Sequence, residues 1–454
     1  MTMIEQSLRY TTQTRACEIS PGAASGAAAM LRGLWPDAKK AIVIDDVNTK
    51  RVAGDGVVAG LKASGVEVRE YTLNPDGSFF HATYDKVEEV RSVLAGASGA
   101  VPVAVGSGTI NDLVKRASGE LGLTYMVVGT AASMDGYTAA GAAITKDGMK
   151  QTLSCSAPLG CIVDTGVAAA APAEMTASGY ADLIAKIPAG ADWMLADAVG
   201  SEAIHPEAWK FVQSPLRDTL ANPAGCASGD EREVRKLCEG LVMSGFAMQA
   251  MDSSRPASGT EHQISHYWDM EDLAFAGRPV SHGFKVGIGT LVSTKVLEFI
   301  LREDIASLDV DAAVRKAPRT FEEVAARFPE IFPSRPDHLK RAELEYAKKF
   351  SPPEKLREEL LRLKAKWPEL APRLEAQLMP LGEVRAKLSA VGAPFEPEHI
   401  GVSRARLAET FAGVAYMRAR YFGADLALRL GRFDALSHEL FGRGGVWEIC
   451  AAAE

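Results

Sequence analysis

The chain has 454 residues, a formal net charge of −8, and 47% hydrophobic against 24% charged residues. That much apolar material exceeds one ordinary core, so two domains are expected and a disordered polymer is excluded. The acidic balance supplies no general basic field, which argues against a nucleic-acid partner and for a small ligand.

Taken in order, Ala41–Asp45, Val66–Tyr71, Val101–Val105, Tyr125–Val128 and Ile162–Asp164 read as short strands. Helical stretches over Asp85–Gly96 and Asn111–Ser118 lie between them. Strands alternating with helices predict an α/β domain over 1–170, with a parallel sheet covered on both faces. Such a sheet is a common platform for nucleotides. After Ala171 the β-rich runs stop, and helix-period patterns predict an all-α domain over 171–454, with Pro172 at the change. Within it, Pro336, Pro352, Pro353, Pro368, Pro372 and Pro380 punctuate charge-rich segments. Residues 336–390 are therefore expected to be an added set of solvated amphipathic helices.

The cysteines (Cys17, Cys155, Cys161, Cys226, Cys238 and Cys450) form no CxxC pair and are too sparse for a disulfide-stapled secreted fold. Reduced thiols are expected. The N-terminal MTMIEQSLRYTTQTRACEIS lacks a cationic start followed by an apolar run, and no apolar stretch reaches the roughly 18 residues of a membrane span. These features predict a cytoplasmic protein without membrane insertion.

Five features carry candidate chemistry. In VAVGSGTIND (103–112), Gly106 and Gly108 join a strand to a helix, where backbone N–H groups can approach a diphosphate. The third glycine of GxGxxG is missing, so a plain tight turn is the competing reading. Asp46, at a strand end, suits either a ribose hydroxyl or a helix cap. Three of the eight histidines fall at 262, 266 and 282. Two imidazoles with a carboxylate from elsewhere compose an open catalytic metal site, but on spacing alone core or surface histidines fit equally. Asp182 and Lys186 stand one turn apart on a helix running to Trp193, as an ordinary ion pair or, if Asp182 is buried, as a carboxylate needing a cation. Ser133, Asp135 and Tyr137 follow a strand end, where ligands of open α/β sheets collect.

Together and in this order, GSGTIND (106–112), TAASMDGYTAAGAAI (130–144), ADLIAK (181–186), SRPASGTEHQISH (254–266) and HGFKVGIGT (282–290) resemble the glycerol-1-phosphate dehydrogenases of the iron-alcohol-dehydrogenase and dehydroquinate-synthase superfamily. A weaker similarity continues over Ala415–Tyr421. The resemblance implies a Rossmann-like N-terminal domain, a helical C-terminal domain and a cleft between them. It implies one divalent metal (zinc, nickel or iron) on Asp182, His262 and His282, with His266 facing substrate as a catalytic group. Gly106, Ser107, Gly108, Thr109 and Asp112 would line the phosphates of NAD or NADP. Asp46 would meet the ribose, and Thr130 and Ser133 the nicotinamide side. Asp135 would contact substrate hydroxyls and take part in catalysis. Lys186, with Arg255 and Lys285 as further cations, would meet the phosphate of a small phosphorylated substrate. Each of these cations is otherwise read as a solvated surface charge.

The implied reaction interconverts dihydroxyacetone phosphate and sn-glycerol 1-phosphate, in a homodimer. The alternatives are a dehydroquinate-synthase-like cyclase and a dehydrogenase of another polyol or sugar phosphate. Two positions depart from the family pattern: Ala181 stands where Gly is usual, and Gly129 where Pro is usual. Neither removes a ligand.

Overall fold

The structure, a computed structural model, describes residues 2–146 and 149–449, so Cys450 lies outside the described residues. Two compact units make up the chain. The first runs to Leu183 and takes back Glu207–Ala257 and Ala390–Ala393; the second comprises Ile184–Pro206, Ser258–Ser389 and the chain from Pro394.

The strands are β1 (Ala16–Ser20), β2 (Lys40–Asp46), β3 (Glu67–Leu73), β4 (Ala100–Gly106), β5 (Met126–Gly129), β6 (Ala142–Lys146), β7 (Met149–Leu153) and β8 (Gly160–Asp164). Six of them form one sheet in the order β1-β8-β5-β4-β2-β3, and every pairing in it is parallel. The five segments expected from the sequence are β2 to β5 and β8. The reading missed β1, which carries Glu18 in the middle of ACEIS, so no apolar run announces it. It holds the sheet edge by pairing with β8, Cys17 opposite Cys161. The antiparallel β6–β7 hairpin was also missed.

The central strands of the sheet are apolar on both faces. Ile42, Val43 and Ile44 are all fully buried, as a central parallel strand requires. Alternate residues Ala41, Val43, Val103, Val105, Met126, Val128 and Ile162 share one cluster with Leu31 of α1 (Ala27–Leu34) and with Val57, Val58 and Leu61 of α2 (Asp55–Ala63). Each buried Val, Leu or Ile contributes about 1.5–3 kcal/mol. Helices α3 (Tyr84–Ala95) and α4 (Gly108–Glu120) pack on each other, and α4 packs on β4. Strand order reverses at β2, which pairs with β3 on one side and β4 on the other. The carboxyl ends of β2 and β4 flank that switch point, the usual ligand crevice of such sheets.

From Thr165 the chain is almost wholly helical. The helices that matter below are α5 (Ala173–Ile184), α6 (Lys186–Val199), α7 (Glu231–Met251), α8 (Thr260–Asp269), α9 (His282–Leu301), α10 (Pro336–Lys349) and α11 (Pro353–Gln377). α5 and α7 belong to the first unit; α6 and α8 to α11 belong to the second. Asp182 and Lys186 do not share a helix, contrary to expectation: α5 ends at Ile184 and α6 begins at Lys186.

In the 336–390 segment, expected as solvated amphipathic helices, one face is packed and the other exposed. Leu356, Leu360, Leu363, Trp367, Leu370 and Leu374 form a buried stripe on α11, which packs along α6. The buried Lys349 of α10 pairs with buried Asp425 at 2.7 Å. Pro368 and Pro372 do not break α11, because both lie on its exposed side. There, the carbonyls that lose an N–H partner can be solvated by water. No helix among the described residues is long and apolar enough to cross a membrane. Cys17, Cys155, Cys161, Cys226 and Cys238 are free thiols.

Candidate active site

β4 ends at Gly106 and α4 begins two residues later, with Ser107 at its cap making no side-chain capping bond. The turn is tight: a Cβ on Gly106 would lie 2.7 Å from the Cβ of Ile110. The first-turn N–H groups of α4, around Gly108 and Thr109, therefore stand at the sheet's switch point, and such helix-start N–H groups in general favour an anion. Asp46, at the end of β2, realises the cap reading. Its Oδ1 accepts from the N–H groups of Asn48 and Thr49, both at 2.8 Å. Thr130 donates its N–H to the Gly106 carbonyl at 3.2 Å. Asp112 accepts the Ala143 N–H at 3.1 Å and lies 3.4 Å from the Lys115 ammonium.

The loop after β5 is clasped from three directions within the first unit. From α4, the fully buried Lys115 donates to the carbonyls of Gly136 (2.7 Å), Ala139 (3.0 Å) and Gly141 (3.1 Å). From α5, Gly179 meets the loop so closely that a Cβ would lie 2.0 Å from the Ala132 carbonyl oxygen. From α7, Gly245 leaves room for Thr138, whose hydroxyl donates to the Val242 carbonyl at 2.9 Å. This clasp fixes Asp135. Its N–H donates to Asp182 Oδ2 at 3.0 Å, and its Oδ2 accepts the Ser244 hydroxyl at 2.9 Å. Ser133 accepts the Ser178 hydroxyl through its carbonyl, and the Tyr137 hydroxyl donates to the Ala131 carbonyl. Asp182 is fully buried, which removes the reading of a surface ion pair.

In the second unit the three histidines form a triangle. Ring centroids of His262 and His282 are 5.4 Å apart, and His266 stands 6.4 Å from each. Each of the first two offers a ligand atom within 4.8 Å of the other's. A glycine permits this closeness: a Cβ on Gly289 would lie 2.4 Å from the Glu261 carbonyl oxygen, so α9 runs directly against the backbone of α8. His262 Nδ1 lies 2.8 Å from Glu261 Oε1, which leaves Nε2 as the nitrogen available for a metal. Two imidazoles so placed suit a borderline divalent ion.

His266 is more open than His262, its side chain 39% exposed against 6%. Burial holds its imidazolium below the ordinary range, against the pull of Asp269, whose Oδ2 is 3.4 Å from Nδ1. Asp269 also binds the Lys285 ammonium at 2.5 Å. Lys186, Arg255 and Lys285 are all buried, which overturns the expectation of solvated surface charges.

A family model described as iron-containing alcohol dehydrogenase matches residues 18–172. A glycerol-1-phosphate dehydrogenase [NAD(P)+] of Bacillus velezensis is 35% identical over 269 residues, 59% of this chain and 68% of the relative. One of Halobacterium salinarum is 31% identical over 296 residues, 64% of this chain and 79% of that one. The chain belongs to the glycerol-1-phosphate dehydrogenase family. A solved structure shares the fold. Glycerol dehydrogenase from Schizosaccharomyces pombe superposes with a TM-score of 0.60, covering 96% of this chain and 93% of that one. At 16% identity, that likeness concerns the fold alone.

The structure adds to the family motifs three side chains the sequence reading missed. Lys115 sits three residues beyond Asp112, one helical turn on, and that spacing was its only sequence signal. Glu261 immediately precedes a candidate ligand histidine. Ser244 lies in an unremarkable helical run and gave no signal.

Proposed function

We propose that this family member interconverts dihydroxyacetone phosphate and sn-glycerol 1-phosphate by NAD(P)-linked hydride transfer, with one divalent metal held by Asp182, His262 and His282. The observation that carries the reading is the closely set His262–His282 pair, one imidazole from each of two helices held together by Gly289. The carboxylate of Asp182 supports it as the third ligand, since one carboxylate with two imidazoles is a donor set that suits such an ion. Zinc, nickel and iron(II) all suit this donor set.

When bound, the metal supplies Lewis acidity to a ketone or alcohol oxygen, and the nicotinamide supplies or accepts the hydride. The protein's residues do the rest. The α4 N-terminus from Gly106 to Thr109 receives the dinucleotide phosphates, and Asp46 uses its second carboxylate oxygen for a ribose hydroxyl. Thr130 and Ser133 line the nicotinamide side. Asp135, held by Ser244, orients a substrate hydroxyl. His266, whose pKa burial lowers, can accept the proton an alcohol gives up and return it in the reverse direction. Lys186, Arg255 and Lys285 are the candidate cations for the substrate phosphate.

The test is reduction of dihydroxyacetone phosphate with NADH and NADPH in separate reactions, followed by assignment of the product's enantiomer. The proposal expects sn-glycerol 1-phosphate. The opposite enantiomer, or no turnover by metal-replete protein, overturns the substrate assignment.

A further inference from the structure

The start of α8 is built around two carboxylates with no solvent contact, Asp192 and Glu261. Asp192 Oδ2 accepts both the N–H and the hydroxyl of Thr260, each at 2.8 Å, while its Oδ1 accepts the Gly423 N–H at 2.7 Å. Glu261 Oε1 accepts the Gly259 N–H at 2.5 Å and faces His262 Nδ1 at 2.8 Å. Glu261 Oε2 is buried and has no hydrogen-bond partner among the described residues. Gly259 makes this packing possible: a Cβ there would lie 2.7 Å from Asp192 Oδ2 and 2.8 Å from Glu261 Oε2.

Burying a carboxylate against an adjacent histidine costs desolvation that an apolar residue would avoid. As a helix-end device Glu261 is redundant, because Asp192 already accepts from the start of α8. What it adds is an acceptor for the ring proton of His262. A carboxylate accepting at Nδ1 fixes the imidazole tautomer, leaves the Nε2 lone pair for a metal and makes that nitrogen more basic.

We infer that Glu261 is a positioning residue for the metal site, orienting His262 through Nδ1 and strengthening it as a ligand. This rests on the reading that His262 binds a divalent ion. Glu261 touches no substrate; it acts on ion affinity and on the ligand field. Its negative charge also balances part of the ion's charge within the same unit.

The experiment measures zinc affinity by competition with a chromophoric chelator, in metal-stripped wild-type protein and in Glu261→Gln, together with the visible spectrum of each protein loaded with cobalt(II). The amide keeps the shape and one acceptor oxygen but removes the charge. The expected result is zinc binding weakened about 10- to 100-fold and a shifted cobalt spectrum, with the metal-free proteins melting alike. Equal zinc affinity and identical cobalt spectra overturn the inference. If wild-type protein takes up no zinc, the metal reading falls and the inference with it, an outcome distinct from an unchanged ratio. Should Glu261→Gln not fold, ¹⁵N spectra of histidine-labelled, zinc-loaded wild-type protein carry the same test. A coordinated His262 with its proton on Nδ1 supports the assignment, and coordination through Nδ1 overturns it.

Discussion

His262 and His266 lie one turn apart on α8, yet their surroundings differ. His262 is buried against Glu261, whereas His266 is partly open and faces Asp269. In the proposed site this difference divides their roles. His262→Ala is expected to lose bound metal and activity together. His266→Ala is expected to keep its metal and lose about 10²- to 10⁴-fold in kcat. Metal analysis beside steady-state kinetics separates the two, and loss of metal from His266→Ala would contradict the division. A second residue-scale expectation concerns Asp45, which no motif flagged. Burial at the end of β2 raises its pKa to about 6, while the Thr72 hydroxyl, 2.8 Å from Oδ1, and Lys50 pull it down. A carboxyl whose folded pKa lies above its unfolded value favours the fold at low pH, and that contribution is lost as pH rises through about 6. Asp45→Asn is therefore expected to melt higher than wild type at pH 8, by about 1–3 kcal/mol, with the gain shrinking towards pH 4.5. A gain equal at both pH values would contradict the assignment.

At the scale of elements, the loop after β5 depends on helices that carry glycine where they cross it. Gly179→Ala would drive a methyl onto the Ala132 carbonyl, a backbone atom that cannot rotate away. About 1–3 kcal/mol of stability is expected to go, with kcat falling because Asp135 and Asp182 meet beside that contact. Thermal melts and kinetics check this, and a variant with wild-type stability and turnover would contradict it. The same elements show what the sequence could express. Buried parallel strands such as Ile42–Ile44 and Val103–Val105 are legible because burial on both faces demands continuous apolar runs. The edge strand β1 and the β6–β7 hairpin are not, because half-covered strands tolerate Glu18 and Lys146. The histidine cluster is legible as spacing, and the resemblance is what proposes His262 and His282 as ligands. Their tautomer and the carboxylate behind them depend on side-chain packing, which spacing does not encode. The prolines of α11 misled for a related reason: sequence shows a helix breaker but not that it faces water.

At the scale of the molecule, an α/β unit carries a nucleotide-type switch point and a helical unit carries a histidine triangle. The chain passes between the units more than once. The 336–390 helices belong to the second unit's core through Trp367 and its leucines, so they extend that unit rather than hang from it. With an acidic net charge, the proposed anion binding rests on local devices, the α4 N-terminus and buried cations. The central claim is that one divalent ion on this scaffold is needed to reduce dihydroxyacetone phosphate. The most direct test titrates zinc, nickel or iron(II) into chelator-stripped protein while following oxidation of the reduced nicotinamide. The account predicts no turnover without metal and activity that climbs to a plateau at one ion per chain. Full turnover in metal-free protein would contradict it.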